Sequence, residues 1–225
     1  MIVVVGSPIA RPVGDGVVAG GLAAAFGREA AARGAAVQLV GRVGDDPAGD
    51  LTLLDLAAHG VGHVAVLREP GRSTPAAPPE SGTSHWPGEP TLDNAPLSID
   101  DDPASAEADV PAGLSVDAAD VELALRYVPD YRVLVCVVTL DDAALRAVVA
   151  ASSWSGAHLV VLIPSGAELP AVPEDATVLE RPAADPDGDF VTMVATYVAA
   201  VDAGTEPGAA FKAAQGGGGW AAVAE

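Results

Sequence analysis

The chain of 225 residues has little cysteine, few aromatic residues and few basic side chains. Its single cysteine, Cys136, excludes an internal disulfide framework and a multi-cysteine zinc site. This residue lies in the apolar run LVCVV, which predicts an inert thiol on a buried strand. Because aromatic residues make up only 4% of the chain, its core has to be built largely from Val, Leu and Ala.

The scarcity of basic residues restricts the partners of the chain. Lys and Arg number 11 against 31 acidic residues, which gives a formal net charge of −20. A field of this sign repels phosphate backbones and anionic lipids, so we expect neither a nucleic-acid nor a membrane partner. The chain also lacks an apolar run of the roughly 18–20 residues that would span a bilayer. MIVVVGS has no basic region in front of it, and we therefore expect a cytoplasmic protein without a signal peptide.

Short apolar runs alternate with helical segments along most of the chain. IVVV, AVQLVG and HVAVL have the composition of buried strands, and an Ala-rich helix is predicted at residues 22–33 before Gly34. After residue 113 the alternation resumes with a helix capped by Ser115 or Asp117. This order of strands and helices predicts an α/β fold with a parallel sheet.

Two segments interrupt this alternation. Residues 68–113 are dense in Pro, Gly, Ser and acidic residues, and they predict a long loop excursion without a sustained period. Residues 216–225 begin with four glycines, which predict a flexible tail. We therefore predict a single domain over residues 1–225, carrying one excursion and one tail.

The passage DPDGDFVTMVATYVAAVDAG is the best candidate for chemistry. Asp189 follows a glycine turn that opens a helix, where unpaired amides can hold a phosphate and a carboxylate can accept a proton from a hydroxyl group. The alternative is that Asp189 only caps the helix. A calcium loop is disfavoured because Phe190 and Thr196 stand where such a loop needs Gly and Glu.

Histidine residues do not supply a convincing metal site either. His59 and His63 are four residues apart, but Gly60 and Gly62 lie between them and prevent a rigid helical pair. We expect solvated turn histidines at both positions and no metal site.

Three segments resemble the ribokinase (PfkB) family of carbohydrate kinases. GGLAAAFGREAAARGAAVQLVGRVGDDPAGD resembles its first signature, LVVLIPSGAELP a strand and loop, and GDFVTMVATYVAAVDAGTEPGAAFKAAQ its second signature. The resemblance covers about residues 1–67, 114–182 and 188–223. It implies a Rossmann-like three-layer α/β/α sandwich with a mostly parallel central sheet.

The resemblance also implies a chemistry, which is ATP-dependent phosphoryl transfer to a sugar or nucleoside hydroxyl. Asp189 would be the general base, and the amide of Gly188 would contribute to the anion hole. Gly20, Gly21 and Arg11 stand at the places implied for substrate binding. ATP and Mg²⁺ are implied as cofactors if the chain is active, and no nucleotide-binding residue is assigned.

The departures from the family pattern weaken that chemistry. Pro186 removes a backbone donor before the catalytic position, and Asp187 brings a carboxylate to a place meant for anionic oxygens. Arg11 and Ala25 replace an Asp and an Asn that would bind sugar hydroxyls. PVGDGVV predicts a lid that is reduced or absent, and the motifs N-x-x-E and T-x-G-x-x-G of the nucleotide side are not found.

Three hypotheses follow. The chain is an active sugar kinase, or a homologue with impaired or lost catalysis that keeps the fold for binding or regulation, or a structural homodimer. The residues favour impaired or lost catalysis. The homodimer hypothesis rests on the shortened sheet, because a truncated sheet exposes an edge or face that a second copy can cover.

Overall fold

The computed structural model describes residues 1–78, 113–137, 140–183, 185 and 187–217. The strands are β1 (Ile2–Val5), β2 (Ile9–Val13), β3 (Gly16–Gly20), β4 (Val37–Gly44), β5 (Val61–Glu69), β6 (Val133–Cys136), β7 (His158–Ile163) and β8 (Thr177–Glu180). The helices are α1 (Gly21–Ala32), α2 (Pro47–Ala58), α3 (Ala118–Tyr127), α4 (Asp142–Ser155), α5 (Asp189–Asp202) and α6 (Pro207–Gly217).

Six of the strands form one parallel sheet in the order β5-β4-β1-β6-β7-β8. Its central strand, β1, is fully buried, and its side chains alternate between two hydrophobic clusters. Ile2 and Val4 pack with α1, α2, α5 and α6, whereas Val3 and Val5 pack with α3 and α4. The predicted three-layer α/β/α sandwich with a parallel central sheet is therefore confirmed.

Acidic side chains begin three of the helices. Asp46 caps α2, Asp141 caps α4, and Asp117 forms a reciprocal capping box with Asp120 at the start of α3. Each carboxylate satisfies backbone amides that the first helical turn leaves without a partner, and complements the helix dipole. Of the two residues predicted to cap α3, the structure selects Asp117.

The passage between β1 and α1 contains a hairpin that the sequence analysis did not predict. β2 and β3 pair in antiparallel register around Gly14 and Asp15, and Gly14 has a φ of +56°. A two-residue loop with a glycine at positive φ suits the twist of a hairpin. The lid is therefore reduced to two strands rather than absent, and residues 75–77 flank its β2 strand through hydrogen bonds to Ala10.

Several predictions concern residues outside this description. Most of the excursion (79–112) and most of the tail (218–225) lie outside the described residues.

Cys136 is fully buried, and burial raises the pKa of its thiol to about 12, so an inert thiol is confirmed. Within the described part of the chain, no helix has the length and apolar character to cross a bilayer.

Candidate active site

The start of α5 is the centre of the candidate site. Gly188 precedes the helix with a φ of +71°, a conformation that favours glycine, and Asp189 is the first helical residue. Both Asp189 and Asp187 are exposed to solvent. Pro186, which has no backbone N–H to donate, lies outside the described residues.

Backbone amides at this helix start donate to a different carboxylate, that of Asp185. Asp185 accepts hydrogen bonds from the amide of Phe190 at 3.1 Å and from the amide of Val191 at 3.3 Å. The amide of Gly188, predicted to be an anion-hole donor, donates to the Asp185 carbonyl at 3.2 Å. Three backbone amides at this helix start, those of Gly188, Phe190 and Val191, therefore already have a partner in Asp185.

Sequence reasoning missed Asp185. The run DPDGD offers three carboxylates before one helix, and spacing alone favours the residue nearest the cap position. The left-handed Gly188 turns the chain so that Asp185, five residues before Phe190, reaches back to the first turn. The pattern DPDGD indicates that a carboxylate caps this helix. Which of its three carboxylates does so depends on the geometry of the backbone.

The hairpin places the other predicted residues at the same end of the sheet. The start of α1 at Gly20 and Gly21 lies beside Ile9, and a Cβ added to Gly20 would be 3.0 Å from Cβ of Arg11. Gly21 has a φ of +80°, so this glycine pair allows a close turn into α1. Arg11 lies exposed on β2.

Helices α1 and α5 bring the two parts of the site together. The side chain of Arg33 donates to Thr196 at 2.8 Å, and Thr192 donates to Glu29 at 3.4 Å. Both contacts join residues 163 positions apart, so the two helices run side by side in one direction. The same register sets Ala25 level with Gly188. The glycine pair and Asp189 therefore lie at neighbouring helix starts.

Aspartates of the first signature have structural partners. Asp46 accepts hydrogen bonds from the amide of Gly49 at 2.8 Å, and from the amide and hydroxyl of Thr74 at 2.9 and 2.7 Å. Burial raises the pKa of the Asp46 carboxyl, but these three hydrogen bonds outweigh it and hold that pKa below its usual value. Asp45 and Asp50 both pair with Arg68.

The glycines of that signature allow close backbone contacts. A Cβ at Gly41 would be 2.7 Å from the Gly6 carbonyl oxygen, and one at Gly44 would be 2.4 Å from the Thr74 amide nitrogen. A Cβ at Gly49 would be 2.5 Å from the Gly44 carbonyl oxygen. Gly41 therefore lets β4 lie close to the turn after β1, whereas Gly44 and Gly49 let the loop after β4 lie close to Thr74, which follows β5.

Ser7 lies at the switch point of the sheet, where strand order reverses between β1 and β6. Open α/β sheets usually bind ligands in the crevice at this point. Here the Ser7 hydroxyl donates to the Leu114 carbonyl and accepts the Arg42 amide at 2.8 Å. A Cβ on Gly113 would be 2.6 Å from the Ser7 carbonyl oxygen. The segment beginning at Gly113 therefore packs directly on Ser7, and sequence reasoning identified neither residue.

The sheet ends at β8 among the described residues. Glu180 of β8 accepts hydrogen bonds from the Ser165 hydroxyl and the Gly166 amide, both at 2.8 Å. Hydrogen bonds from the Gly166 amide and the Ser165 hydroxyl lower the pKa of the Glu180 carboxyl. In the described ranges, no group of three or more His, Cys, Asp and Glu side chains is placed to hold a metal ion.

The architecture and the site together define a class: a doubly wound α/β protein with a hairpin lid beside its carboxyl edge. More particularly, the chain has the ribokinase fold. It superimposes on the apo crystal structure of an E. coli protein described as a Ribokinase II with a TM-score of 0.62. The identity is 13%, over 100% of this chain and 93% of that chain.

Two further solved structures agree with this fold. The structure named Sa239 has a TM-score of 0.62 and 14% identity, over 95% of this chain and 92% of that chain. The same E. coli Ribokinase II in complex with ATP and Mg²⁺ has a TM-score of 0.59 and 12% identity, over 100% and 93%. No family model and no curated protein matches the chain. The resemblance drawn from the motifs is therefore confirmed at the level of the fold.

Proposed function

We propose that the chain is a ribokinase-like carbohydrate kinase homologue whose phosphoryl transfer is impaired or lost, and which keeps the fold to bind a small sugar or nucleoside. The observation that carries this proposal is the carboxylate of Asp185 on the Phe190 and Val191 amides. A phosphoryl group can use this helix start only if Asp185 first leaves it. The departing carboxylate loses two hydrogen bonds.

Electrostatics add to that cost. Two like charges about 4 Å apart repel by about 1 kcal/mol in water and about 4 kcal/mol at an effective dielectric of 20. Pro186 removes one backbone donor, and loss of one oxyanion donor raises a reaction barrier by about 3–4 kcal/mol. The combined effect is a rate loss of several orders of magnitude. Asp187, exposed beside Gly188, adds a further negative charge to the same approach.

The residues present do not fit ATP and Mg²⁺ well. The Phe190 and Val191 amides at the start of α5 donate to Asp185. Asp45, Asp46 and Asp50 also have protein partners. The described residues contain no cluster of ligands for a divalent ion. We therefore expect neither ATP nor Mg²⁺ to bind at the start of α5.

The carboxyl edge of the sheet is where a small ligand would bind in this proposal. Gly20 and Gly21 give the chain a close turn, and Asp189 lies exposed at the neighbouring helix start. An exposed carboxylate is suited to the hydroxyl groups of a sugar or nucleoside. In this proposal Asp189 binds a hydroxyl group without activating it for transfer.

The experiment is an ADP-release assay with a panel of sugars and nucleosides. We expect the wild-type chain to stay at background. Asp185→Asn keeps the shape of the cap but removes its charge, so this variant should gain affinity for inorganic phosphate and ATP in a thermal-shift assay. Asp187→Asn removes an equal charge from an exposed side chain and is the matched control, for which we expect a smaller gain.

The second candidate is an active sugar kinase with Asp189 as its base. It is favoured by the exposed Asp189 beside Gly188 and by the shared edge with Gly20 and Gly21. ATP-dependent phosphorylation of any acceptor in the panel, abolished in Asp189→Ala, would establish this candidate and overturn the first.

A further inference from the structure

The base of the hairpin is held on both of its outer edges. Ala10 of β2 and Ala19 of β3 are cross-strand partners, and they are almost completely buried, at 1% and 0% exposure. In an antiparallel pair of strands, the backbone groups of two opposite residues bond either to each other or to groups outside the pair. At the Ala10–Ala19 pair, the amide and the carbonyl of both residues bond to groups outside the hairpin.

The β2 side is attached to the segment that follows β5. The Ala10 amide donates to the Pro75 carbonyl, and the Ala10 carbonyl accepts from the Ala77 amide, both at 2.8 Å. Thr74, directly before Pro75, bonds through its amide and its hydroxyl to Asp46 at the start of α2. This edge of the hairpin is therefore joined to the helical layer.

On the β3 side, two side chains bind where a neighbouring strand would otherwise pair. Asp55 of α2 accepts from the Ala19 amide at 2.9 Å, and Arg28 of α1 donates to the Ala19 carbonyl at 2.7 Å. Arg28 also pairs with the Asp55 carboxylate at 3.2 Å, which closes a ring of contacts around Ala19. We call Asp55 and Arg28 the Ala19 clamp. Its hydrogen bonds involve ionised groups that are partly buried, and such bonds are stronger than those between neutral groups.

The Ala19 clamp lies directly before the glycine pair of the candidate site. Gly20 and Gly21 follow Ala19, and Gly21 begins α1, the helix that carries Arg28. Because glycine has more backbone freedom than other residues, two successive glycines need neighbours that fix their position. Ala19 is such a neighbour, since both of its backbone groups are bound. Towards the tip of the hairpin, by contrast, residues 13–16 are exposed.

We propose that Asp55 and Arg28 are positioning residues for the candidate site. They hold the Gly20–Gly21 turn in place, so that the hairpin bends only beyond the Ala10–Ala19 pair. They act through the backbone of Ala19 and not through contacts of their own with a ligand. A binding turn that is fixed in advance loses less entropy when the ligand arrives. The proposal rests on the proposed function in one respect, namely that this turn borders the bound sugar or nucleoside.

His59 lies beside the clamp. It is half exposed, as expected for a solvated turn, and its Nδ1 lies 2.8 Å from the Asp55 carbonyl oxygen. The same expectation is wrong for His63, which lies on β5 with Nδ1 buried. Because a charge on His59 would lie next to the Asp55 carboxylate, all variants of the clamp are compared at one pH.

Residue-resolved amide hydrogen exchange tests the proposal without a ligand. The informative amides are those of Ala10 and Ala77, because they donate to backbone carbonyls and not to Asp55. Asp55→Ala should speed their exchange at least about tenfold and leave the amides of β1 unchanged. Asp55→Asn keeps an acceptor for the Ala19 amide and should have a smaller effect.

The matched control is Asp50→Ala. Asp50 also lies on α2 and also pairs with an arginine, but its partner is Arg68 of β5. This variant should leave exchange at Ala10 and Ala77 unchanged. The proposal is overturned if Asp55→Ala does not speed exchange at these two amides, or speeds it equally in β1, which would be a general loss of stability. An equal effect of Asp50→Ala would also overturn it.

Calorimetric titration with ribose and with adenosine supplies a second readout. Asp55→Ala should weaken the binding of whichever compound the wild-type chain binds at least about tenfold, whereas Asp50→Ala should not. Equal affinity in the two variants would contradict a positioning role. If the wild-type chain binds neither compound, the proposed function fails for both, and exchange at Ala10 and Ala77 still decides whether the clamp fixes the base of the hairpin.

Discussion

The two halves of the central sheet differ in how they use their polar residues. On the β5-β4 side, the polar residues of the first signature hold the fold: Asp46 binds Thr74 and Gly49, and Asp50 pairs with Arg68. On the β6-β7-β8 side, acidic residues far outnumber basic ones, and the turn before α5 departs from the family pattern at Pro186 and Asp187. The difference shows that a motif match reports the fold, whereas function has to be argued from the residues of the site.

The largest expected effect is a loss of stability on the β5-β4 side of the sheet. Gly44→Ala places a Cβ 2.4 Å from the Thr74 amide nitrogen, where the backbone on both sides has to move. We expect a loss of about 3 kcal/mol in the free energy of unfolding.

Gly16→Ala is the control for this substitution, because its Cβ would meet the Val13 carbonyl oxygen only at an ordinary 3.6 Å. Chemical denaturation of both variants gives the comparison. Equal stability of the two would show that the Gly44 contact is not restrictive.

Asp46→Ala should have the next largest effect. It removes the cap of α2 together with both hydrogen bonds from Thr74, and we expect a loss of about 2 kcal/mol. Since the pKa of Asp46 is held below its usual value, its stabilisation is complete above the ordinary aspartate pKa, about 4. The stabilisation disappears as the pH falls through the lower folded value. Denaturation midpoints of wild type and Asp46→Asn between about pH 2 and 7 should converge in acid; parallel curves would contradict this account.

A smaller loss of stability is expected at the start of α5. Asp185→Ala removes the carboxylate from the Phe190 and Val191 amides, and we expect a loss of about 1 kcal/mol. Asp187→Ala, at an exposed position, should stay within about 0.5 kcal/mol of wild type. Thermal unfolding measures both. If Asp187→Ala is the more damaging change, the assignment of the cap to Asp185 is wrong.

The smallest expected effect concerns a polar cluster at the opposite edge. Nε2 of His158 lies 3.0 Å from the Thr177 hydroxyl and 2.8 Å from the Tyr197 hydroxyl. Burial lowers the pKa of His158, and the charge of Asp175 opposes it only in part. The unfolded chain therefore binds the proton more readily. Stability is complete above the ordinary histidine pKa of about 6.5 and falls below it.

The expected loss at pH 5 is below about 1 kcal/mol, because the ring is partly exposed. Urea denaturation at about pH 5 and 8 should show a smaller pH dependence for His158→Gln than for wild type. If the pH dependence of stability is the same in His158→Gln and in wild type, groups other than His158 cause it.

Much of the fold could be predicted from the sequence, because buried parallel strands are continuous apolar runs and helices have local caps. IVVV, for example, corresponds to β1 at Ile2–Val5, and the predicted helix at residues 22–33 corresponds to α1 at Gly21–Ala32. The hairpin was missed because Pro12 and four glycines obscured the strand pattern around the Gly14–Asp15 turn.

The site was less predictable because its contacts join distant parts of the chain. Asp189 and Gly188 were placed correctly at a helix start, yet the residue on the amides is Asp185. Likewise, the contact of Ser7 with Leu114 spans 107 residues and has no local signal. Spacing identifies which residues begin a helix, whereas tertiary structure decides which carboxylate reaches its amides.

Isothermal titration of the wild-type chain with ATP and Mg²⁺ tests the central claim most directly, because a triphosphate has to displace Asp185 from the start of α5. The account predicts no binding heat up to about 1 mM nucleotide. A saturable isotherm with a micromolar Kd, retained in Asp187→Asn and lost when Gly188 is replaced, would contradict it.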